Sequence, residues 1–375
     1  MSDSLSVAVL GAAGTISPAV IRDLAESEEA GTLTLLDRDG EGVRAAAAAY
    51  GGGRAEAREV DAQQGLAAAL SGTDVLVNAA SYRVNLDAMR ACLEAGCHYI
   101  DFGGLYRITD RQLELSEEFE RAGLLALLGM GSSPGKTNVM AVRAVRELGT
   151  TPERLDVMAA GRDLDPPAGG LSVPYALQTL VDELTIAPVV LRDGRPVEIE
   201  ALAPGGEVEF GEPIGRGDTI YTLHSEMRTF GESFGAAEGS FRLSLSPALL
   251  ERLRELTGAP QEEIDAAAAA ALPPSSKTVS VHVIEASAGP RTIRVRAITE
   301  PLERWGLGGG IVSTGAPAAA AVRLLARGRI TALGALPPER CVDPDDLFAE
   351  LERHGSTFEV EELQRRPQEA EATRS

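Results

Sequence analysis

The chain has 375 residues, 44% of them hydrophobic, and a formal net charge of −21. That length predicts two or three domains with real apolar cores. The acidic balance argues against nucleic acid and anionic membranes as partners, since both need a basic surface, and leaves a small-molecule substrate.

The opening run "LSVAVLG" is too short for a signal segment, and no apolar run in the raw sequence reaches membrane-span length, so the expectation is a cytoplasmic protein. Over the first 130 or so residues, short apolar runs alternate with helical patterns. Strands are expected at 7–11, 33–37, 57–61, 74–81, 98–103 and 124–131. Strands that alternate with helices of this length predict βαβ units and a doubly wound, Rossmann-like parallel sheet.

"VAVLGAAGTISPAVIRDLAE" places Gly11 and Gly14 after the first strand, at the start of a helix. Gly11 permits a tight turn, and Gly14 lets backbone approach a pyrophosphate at the positive helix end. Ser17 stands where the dinucleotide fingerprint has a packing glycine. Asp37 closes the second strand 23 residues after Gly14, where a carboxylate meets a ribose diol and disfavours a 2′-phosphate. Arg38 beside it is suited to stack on adenine or to pair with that phosphate. NAD is therefore the expected cofactor, with NADP possible. The strand ends at Asn78–Ser81 and Asp101–Gly104 should face the nicotinamide.

Further on, "GMGSSPGKTNVMA" contains Gly-Lys-Thr, but a P-loop needs glycine where Met130 stands, and Pro134 removes an amide donor. The spacing excludes a nucleotide cradle. Lys136 is one of only two lysines in the chain and sits at a sheet edge, so it is expected to project into a cleft as base or carboxylate ligand.

From about Leu155 the texture becomes strand-like runs separated by Gly and Pro, with a hairpin signal at Asp193-Gly194. After Trp305, Ala-rich helical patterns return. The expected organisation is a cofactor domain of 1–150 plus 305–365, an inserted α+β substrate and dimerisation domain of 151–304, and a disordered tail at 366–375. Cys92, Cys97 and Cys341 form no disulfide framework, and no CxxC or HxxxH spacing points to a metal.

The stretches "VLGAAGTI", "LLDRD", "DVLVNAAS", "NLDAMRACLEAGCHYIDFGG", "GMGSSPGKTNVMA" and "TGAPAAAAVRLLARGRITALGALPPE" together resemble the saccharopine dehydrogenase family, in appearance nearest its lysine 6-dehydrogenase-type members. The resemblance implies a Rossmann-like domain, an inserted α+β domain, C-terminal helices returning to the first domain, and a homodimer. It also implies hydride transfer at a carbon bearing nitrogen, through an imine. Cofactor contacts are then expected from Gly11, Gly14, Thr15, Ile16, Asp37, Arg38, Asp61, Asn78, Ala79 and Ala80. Removing hydride next to an amine needs the neutral amine, so a base should titrate near pH 7. The candidates are Asp101 at the sheet edge, Lys136, and His224 in "YTLHSEMRTF"; Tyr106, Asn138 and Arg228 are candidate substrate ligands. His282, in an alternating strand, reads as a surface or domain-face residue. Two alternatives stand beside the amine oxidoreductase: an enzyme of carbonyl, alcohol or enoyl substrates on the same scaffold, and a dinucleotide-binding regulator without turnover.

Overall fold

A computed structural model describes residues 4–166, 173 and 177–364; the expected tail at 366–375 lies outside them. The first part runs β1 (Leu5–Leu10), α1 (Ser17–Glu26), β2 (Ala30–Asp37), α2 (Gly40–Tyr50), β3 (Ala55–Glu59), α3 (Leu66–Ala69), β4 (Val75–Asn78), α4 (Asn85–Ala95), β5 (His98–Asp101), α5 (Leu105–Leu113), α6 (Ser116–Arg121), β6 (Leu125–Leu127) and α7 (Lys136–Leu148). Val7 to Leu10 and Val75 to Val77 are buried on both faces, as strands covered by helices on each side must be.

The chain continues with β7 (Arg154–Asp163), α8 (Leu177–Thr185), β8 (Val189–Arg192), β9 (Arg195–Glu198), β10 (Pro204–Glu209), β11 (Arg216–Tyr221), α9 (Glu226–Phe234) and β12 (Glu238–Ser244). It ends with α10 (Pro247–Leu256), α11 (Gln261–Ala270), β13 (Thr278–Ala288), β14 (Arg291–Thr299), α12 (Gly309–Ala326), β15 (Gly334–Leu336), α13 (Pro344–Glu352) and β16 (Ser356–Gln364). The predicted Asp193-Gly194 turn joins β8 to β9, both residues having positive φ (51° and 71°).

The first sheet is parallel, in the order β15-β6-β5-β4-β1-β2-β3, which is the doubly wound arrangement expected. The second sheet follows β10-β11-β12-β7-β13-β14-β16, antiparallel except where β12 runs parallel to β7. Of the expected return segment, the described residues 305–364 serve both sheets. β15 extends the first, and β16 pairs with β14 along the edge of the second.

Helices α7 and α12 lie between the sheets and contact β13 and β14, so one apolar core runs through both layers. By length and composition α12 would pass for a membrane span, but 78% of it is buried in the fold, and core position accounts for its apolar sequence. It closes on α1 because Gly315 has no side chain; a Cβ there would stand 2.7 Å from Ala19 Cβ and 3.1 Å from the Val20 amide.

The contact between α1, α12 and α13 also holds buried charge. The Arg323 guanidinium meets Asp23 at 2.5 Å and Glu350 at 2.6 Å, with all three side chains no more than 6% exposed. Burial alone would raise both carboxyls, yet Arg323 holds them below their usual range. We therefore expect Arg323→Ala to cost about 3–5 kcal/mol at pH 7, because Asp23 loses its guanidinium and Glu350 loses the more buried of its arginine partners, keeping Arg327 at 2.6 Å. In urea unfolding the deficit should shrink as pH falls toward 4, where the stranded carboxyls take up protons. A deficit independent of pH would show that lost packing is responsible instead.

Candidate active site

Strand order reverses between β1 and β4, so the loops leaving them diverge and open a crevice at the carboxyl edge of the parallel sheet. A cleft of about 1400 Å³ begins there and extends across to the second sheet. Its first wall is the turn after β1. Gly11 adopts φ 77°, and a Cβ on it would stand 2.5 Å from the Ala80 amide, so only glycine fits between the two loops. Ser17 explains the missing third glycine. It is fully buried, and its Oγ donates to the Gly11 carbonyl at 2.7 Å, closing the turn through a hydrogen bond.

Of the expected cofactor residues, all but Asn78 line this cleft. Asp37 accepts from the Ala13 amide at 2.9 Å, which ties the second strand to the glycine turn. Arg38 stands exposed on the same wall. The amides of Thr15 and Ile16 find no acceptor among the described residues, as at an uncapped helix start. The wall thus fits a dinucleotide: a glycine cradle that a Cβ would fill, free amides at a helix N-terminus, and a carboxylate at the ribose position.

The opposite wall is one face of the second sheet. Register places Leu243, Ala159 and His282 side by side across β12, β7 and β13. One step along, Gly161, Ser280 and Thr299 align on that face. The small residues at 159 and 161 leave a hollow beside His282 and Ser280. His224, just before α9, hangs over this floor with its ring stacked on Phe241 at 3.5 Å between centroids.

His224 is 6% exposed. Its Nδ1 lies 3.4 Å from Glu226 Oε2 and its Nε2 3.9 Å from Glu183 Oε2. Burial pushes its pKa down, but the Glu226 contact and the charges of both glutamates prevail and leave it above the usual value. Glu226 is fully buried and held by Thr137, whose Oγ1 donates to it at 2.9 Å. Across the cleft, the Tyr82 hydroxyl and the Arg83 guanidinium donate to Asp182 of α8 at 2.6 and 2.7 Å, joining the walls.

Several expected site residues lie elsewhere. Asp101 does not face the cleft. It is 1% exposed, and its carboxylate accepts from Asn85, Tyr99, Gln112 and the amides of Gly103 and Gly129. Asn78 belongs to the same buried network, donating to Asn85 and to the Tyr99 hydroxyl. Asn138 accepts from the Gly135 amide and donates to Glu339, which holds the start of α7. Arg228 is committed to Asp110 at 2.5 Å and Glu232 at 2.8 Å, and Tyr106 packs beside it at the edge of the core.

Lys136 also misses the cleft. It is fully buried between the layers, with Nζ donating to Ser313 at 2.7 Å and Thr299 at 3.1 Å. The loop before it uses its amides internally, with Gly131 bonded to the Pro134 carbonyl and Lys136 to that of Gly131, so no phosphate cradle forms. Sequence reasoning also missed His282. It is 3% exposed, lines the cleft, and has no partner for Nδ1 among the described residues. The signal available was the register of "TVSVHVIEAS", which puts His282 on the same side as Ser280 rather than among the valines.

Residues 7–127, from β1 to β6, match the family model described as the saccharopine dehydrogenase NADP binding domain. The resemblance read from the sequence is borne out over that span, and the parallel sheet is an NAD(P)-binding one. A carboxyaminopropylagmatine dehydrogenase of Synechocystis sp. is 27% identical over 205 residues, 52% of this chain and 50% of that protein. A carboxynorspermidine synthase of Vibrio alginolyticus is 33% identical over 95 residues, 23% of each. The chain thus spans half the length of the first relative and under a quarter of the second. Among solved structures, the apo saccharopine dehydrogenase (L-Glu forming) of Saccharomyces cerevisiae has a TM-score of 0.69 at 16% identity, covering 96% of this chain and 100% of that one. At that identity the likeness is one of fold.

Burial lowers the Lys136 pKa from 10.5 to about 7. Between those values the unfolded chain holds a proton that the folded chain lacks, so raising pH through this window favours folding. At pH 6 the ammonium is carried in both states and the burial cost is fully present. Lys136→Met should therefore stabilise the protein at pH 6 by roughly 2–4 kcal/mol after losing two hydrogen bonds. In urea unfolding that gain should vanish toward pH 10. A gain equal at both pH values would mean that Lys136 carries no buried charge.

Proposed function

We propose that the protein is an NAD(P)-dependent oxidoreductase acting at the C–N centre of an amine, amino acid or imine, with its reactive centre between the glycine turn and His224. The observation that carries this reading is the continuity of one cleft from Gly11 and Asp37 to a buried histidine flanked by two carboxylates. In this reading residues 1–150 and the return segment form the cofactor body, and 151–304 present the substrate.

The Gly11–Ile16 turn holds the pyrophosphate and Asp37 the ribose diol. The bound nicotinamide supplies the hydride acceptor or donor. His224 takes the proton from the substrate nitrogen in the oxidative direction and returns it in the reductive one. Glu226 orients the ring and stabilises its protonated form, while Glu183 adds negative charge on the Nε2 side. A site with two buried carboxylates around one histidine favours a cationic amine over a neutral carbonyl or enoyl substrate. The homodimer implied by the resemblance belongs to the same proposal, and light scattering of the purified chain decides it.

The test is formation of reduced nicotinamide from lysine, ornithine or polyamines, and its consumption with 2-oxo acids plus ammonia. His224→Asn should lower turnover at least about tenfold, or 1.4 kcal/mol, with cofactor affinity nearly unchanged. Amine oxidation should rise with pH through the His224 titration, above the usual histidine value of 6.5. Cofactor binding without turnover across the panel would favour a regulatory protein.

Asp37 should make NAD bind more tightly than NADP, since a 2′-phosphate there meets a carboxylate. Titrating both cofactors decides this, and an NADP preference above about tenfold, or 1.4 kcal/mol, would overturn it.

A further inference from the structure

The two histidines of the cleft have opposite surroundings. His224 stands between Glu183 and Glu226. His282 stands on β13 between Ala159 of β7 and Ala297 of β14, neither of which offers charge or a hydrogen bond from its side chain. The charged groups acting on His282 are Lys136 from α7 and His224 from the segment before α9. Both are cationic when protonated, and the carboxylates Glu183 and Glu226 lie around His224. An imidazole in such a place stays uncharged. Burial comes first among the causes that hold its pKa well below the usual value, followed by Lys136 and then His224. Two titratable groups in one cleft whose environments push them apart are suited to divided roles.

The hydrogen-bond pattern points the same way. His282 is 3% exposed, and its Nδ1 has no partner among the described residues, yet the residue lines the cleft. A buried imidazole nitrogen without a partner is destabilising, and a ligand N–H relieves that cost on binding. Ala159 and Gly161, small residues beside it in the register, line the same cleft.

We propose that His282 is a second substrate-contacting residue, whose Nδ1 accepts a hydrogen bond from the substrate's N–H while His224 handles the proton, and that Lys136 is a positioning residue behind it. This rests on the reading that the cleft turns over an amine. The division of labour has a physical basis. A ring that stays neutral can hold an amine N–H without adding positive charge beside a cationic substrate, whereas a second protonated histidine would repel it. Lys136 does not touch substrate. Its ammonium, anchored by Ser313 and Thr299, makes a proton on His282 unfavourable.

The test uses the full chain labelled with ¹⁵N-histidine. Ring nitrogen shifts are followed by NMR across pH, and then with lysine, spermidine and lactate added in turn in the presence of NAD. His282 should remain neutral to a pH well below the usual histidine titration. In Lys136→Met its midpoint should rise, and in Lys136→Arg, which keeps the cation, it should stay low. Lysine or spermidine should shift the His282 Nδ1 signal, and His282→Leu should abolish that response. In turnover with whichever amine is accepted, His282→Leu should raise KM at least tenfold with NAD affinity unchanged. His282→Asn, whose amide oxygen falls near the position of Nδ1, should restore part of it. A shift with an amine but no turnover would sink the reaction reading and leave the His282 contact standing. No shift with any probe, or a His282→Leu variant with unaltered KM, would overturn the contact. A His282 midpoint unmoved in Lys136→Met would overturn the role of the lysine.

Discussion

The Asp101 carboxylate accepts hydrogen bonds from α4, from β5 and its following loop, from α5 and from the turn after β6. The Gly103 and Gly129 amides belong to loops that have just left the carboxyl edge of the parallel sheet, where backbone groups no longer have a strand to pair with. One anion thereby fixes the height and direction of the loops that bound the cleft. Burial raises its pKa, while the Gln112, Gly129, Tyr99 and Gly103 donors pull the other way and compensate the charge. Two of those loops are then close enough for Pro134 to fill the space between Gly103 and Gly129. A Cβ on either glycine would stand 2.6 or 2.7 Å from the proline ring.

From that fixed edge the geometry propagates inward. The Pro134 turn delivers the chain to α7, which enters the core at Lys136 and Thr137. Thr137 holds Glu226, and Glu226 faces His224. A path of direct contacts therefore runs from a structural carboxylate in the first sheet to the acid–base candidate over the second. Neighbours of this path divide into groups that touch the cleft and groups that hold them in place. Asp101, Asn78, Asn138 and Lys136 belong to the second kind.

The sequence made the parallel sheet, the glycine turn and the place of Asp37 at the end of β2 legible, because these follow from local periodicity and from residue types with few uses. Gly11 and Asp37 could be placed by counting along a strand. Asp101 and Lys136 were placed at the right edge of the sheet but with the wrong direction, since a position at a strand end does not say whether a side chain turns to the crevice or back into the protein. Asp101 turns back because Asn85 on α4, Tyr99 on β5 and Gln112 on α5 converge on its carboxylate as donors. His282 was missed because its meaning depends on what lies across β7, where Ala159 and Gly161 leave space, and on Lys136 behind it. Those pairings connect residues more than a hundred positions apart, and no window of sequence contains them.

The placement of β16 bears on how the chain acquires its shape during synthesis. The first six strands of the parallel sheet are complete by Leu127, so that sheet can begin to close while most of the chain is still unmade. The second sheet cannot. β14 keeps an open edge until Ser356–Gln364 arrives to pair with it, after α12, β15 and α13 have been threaded back to the first layer. An unpaired strand edge invites pairing with another chain. The nascent protein thus carries an association-prone edge on its second layer, and covers it only with β16, which follows the other described strands of that sheet in the chain.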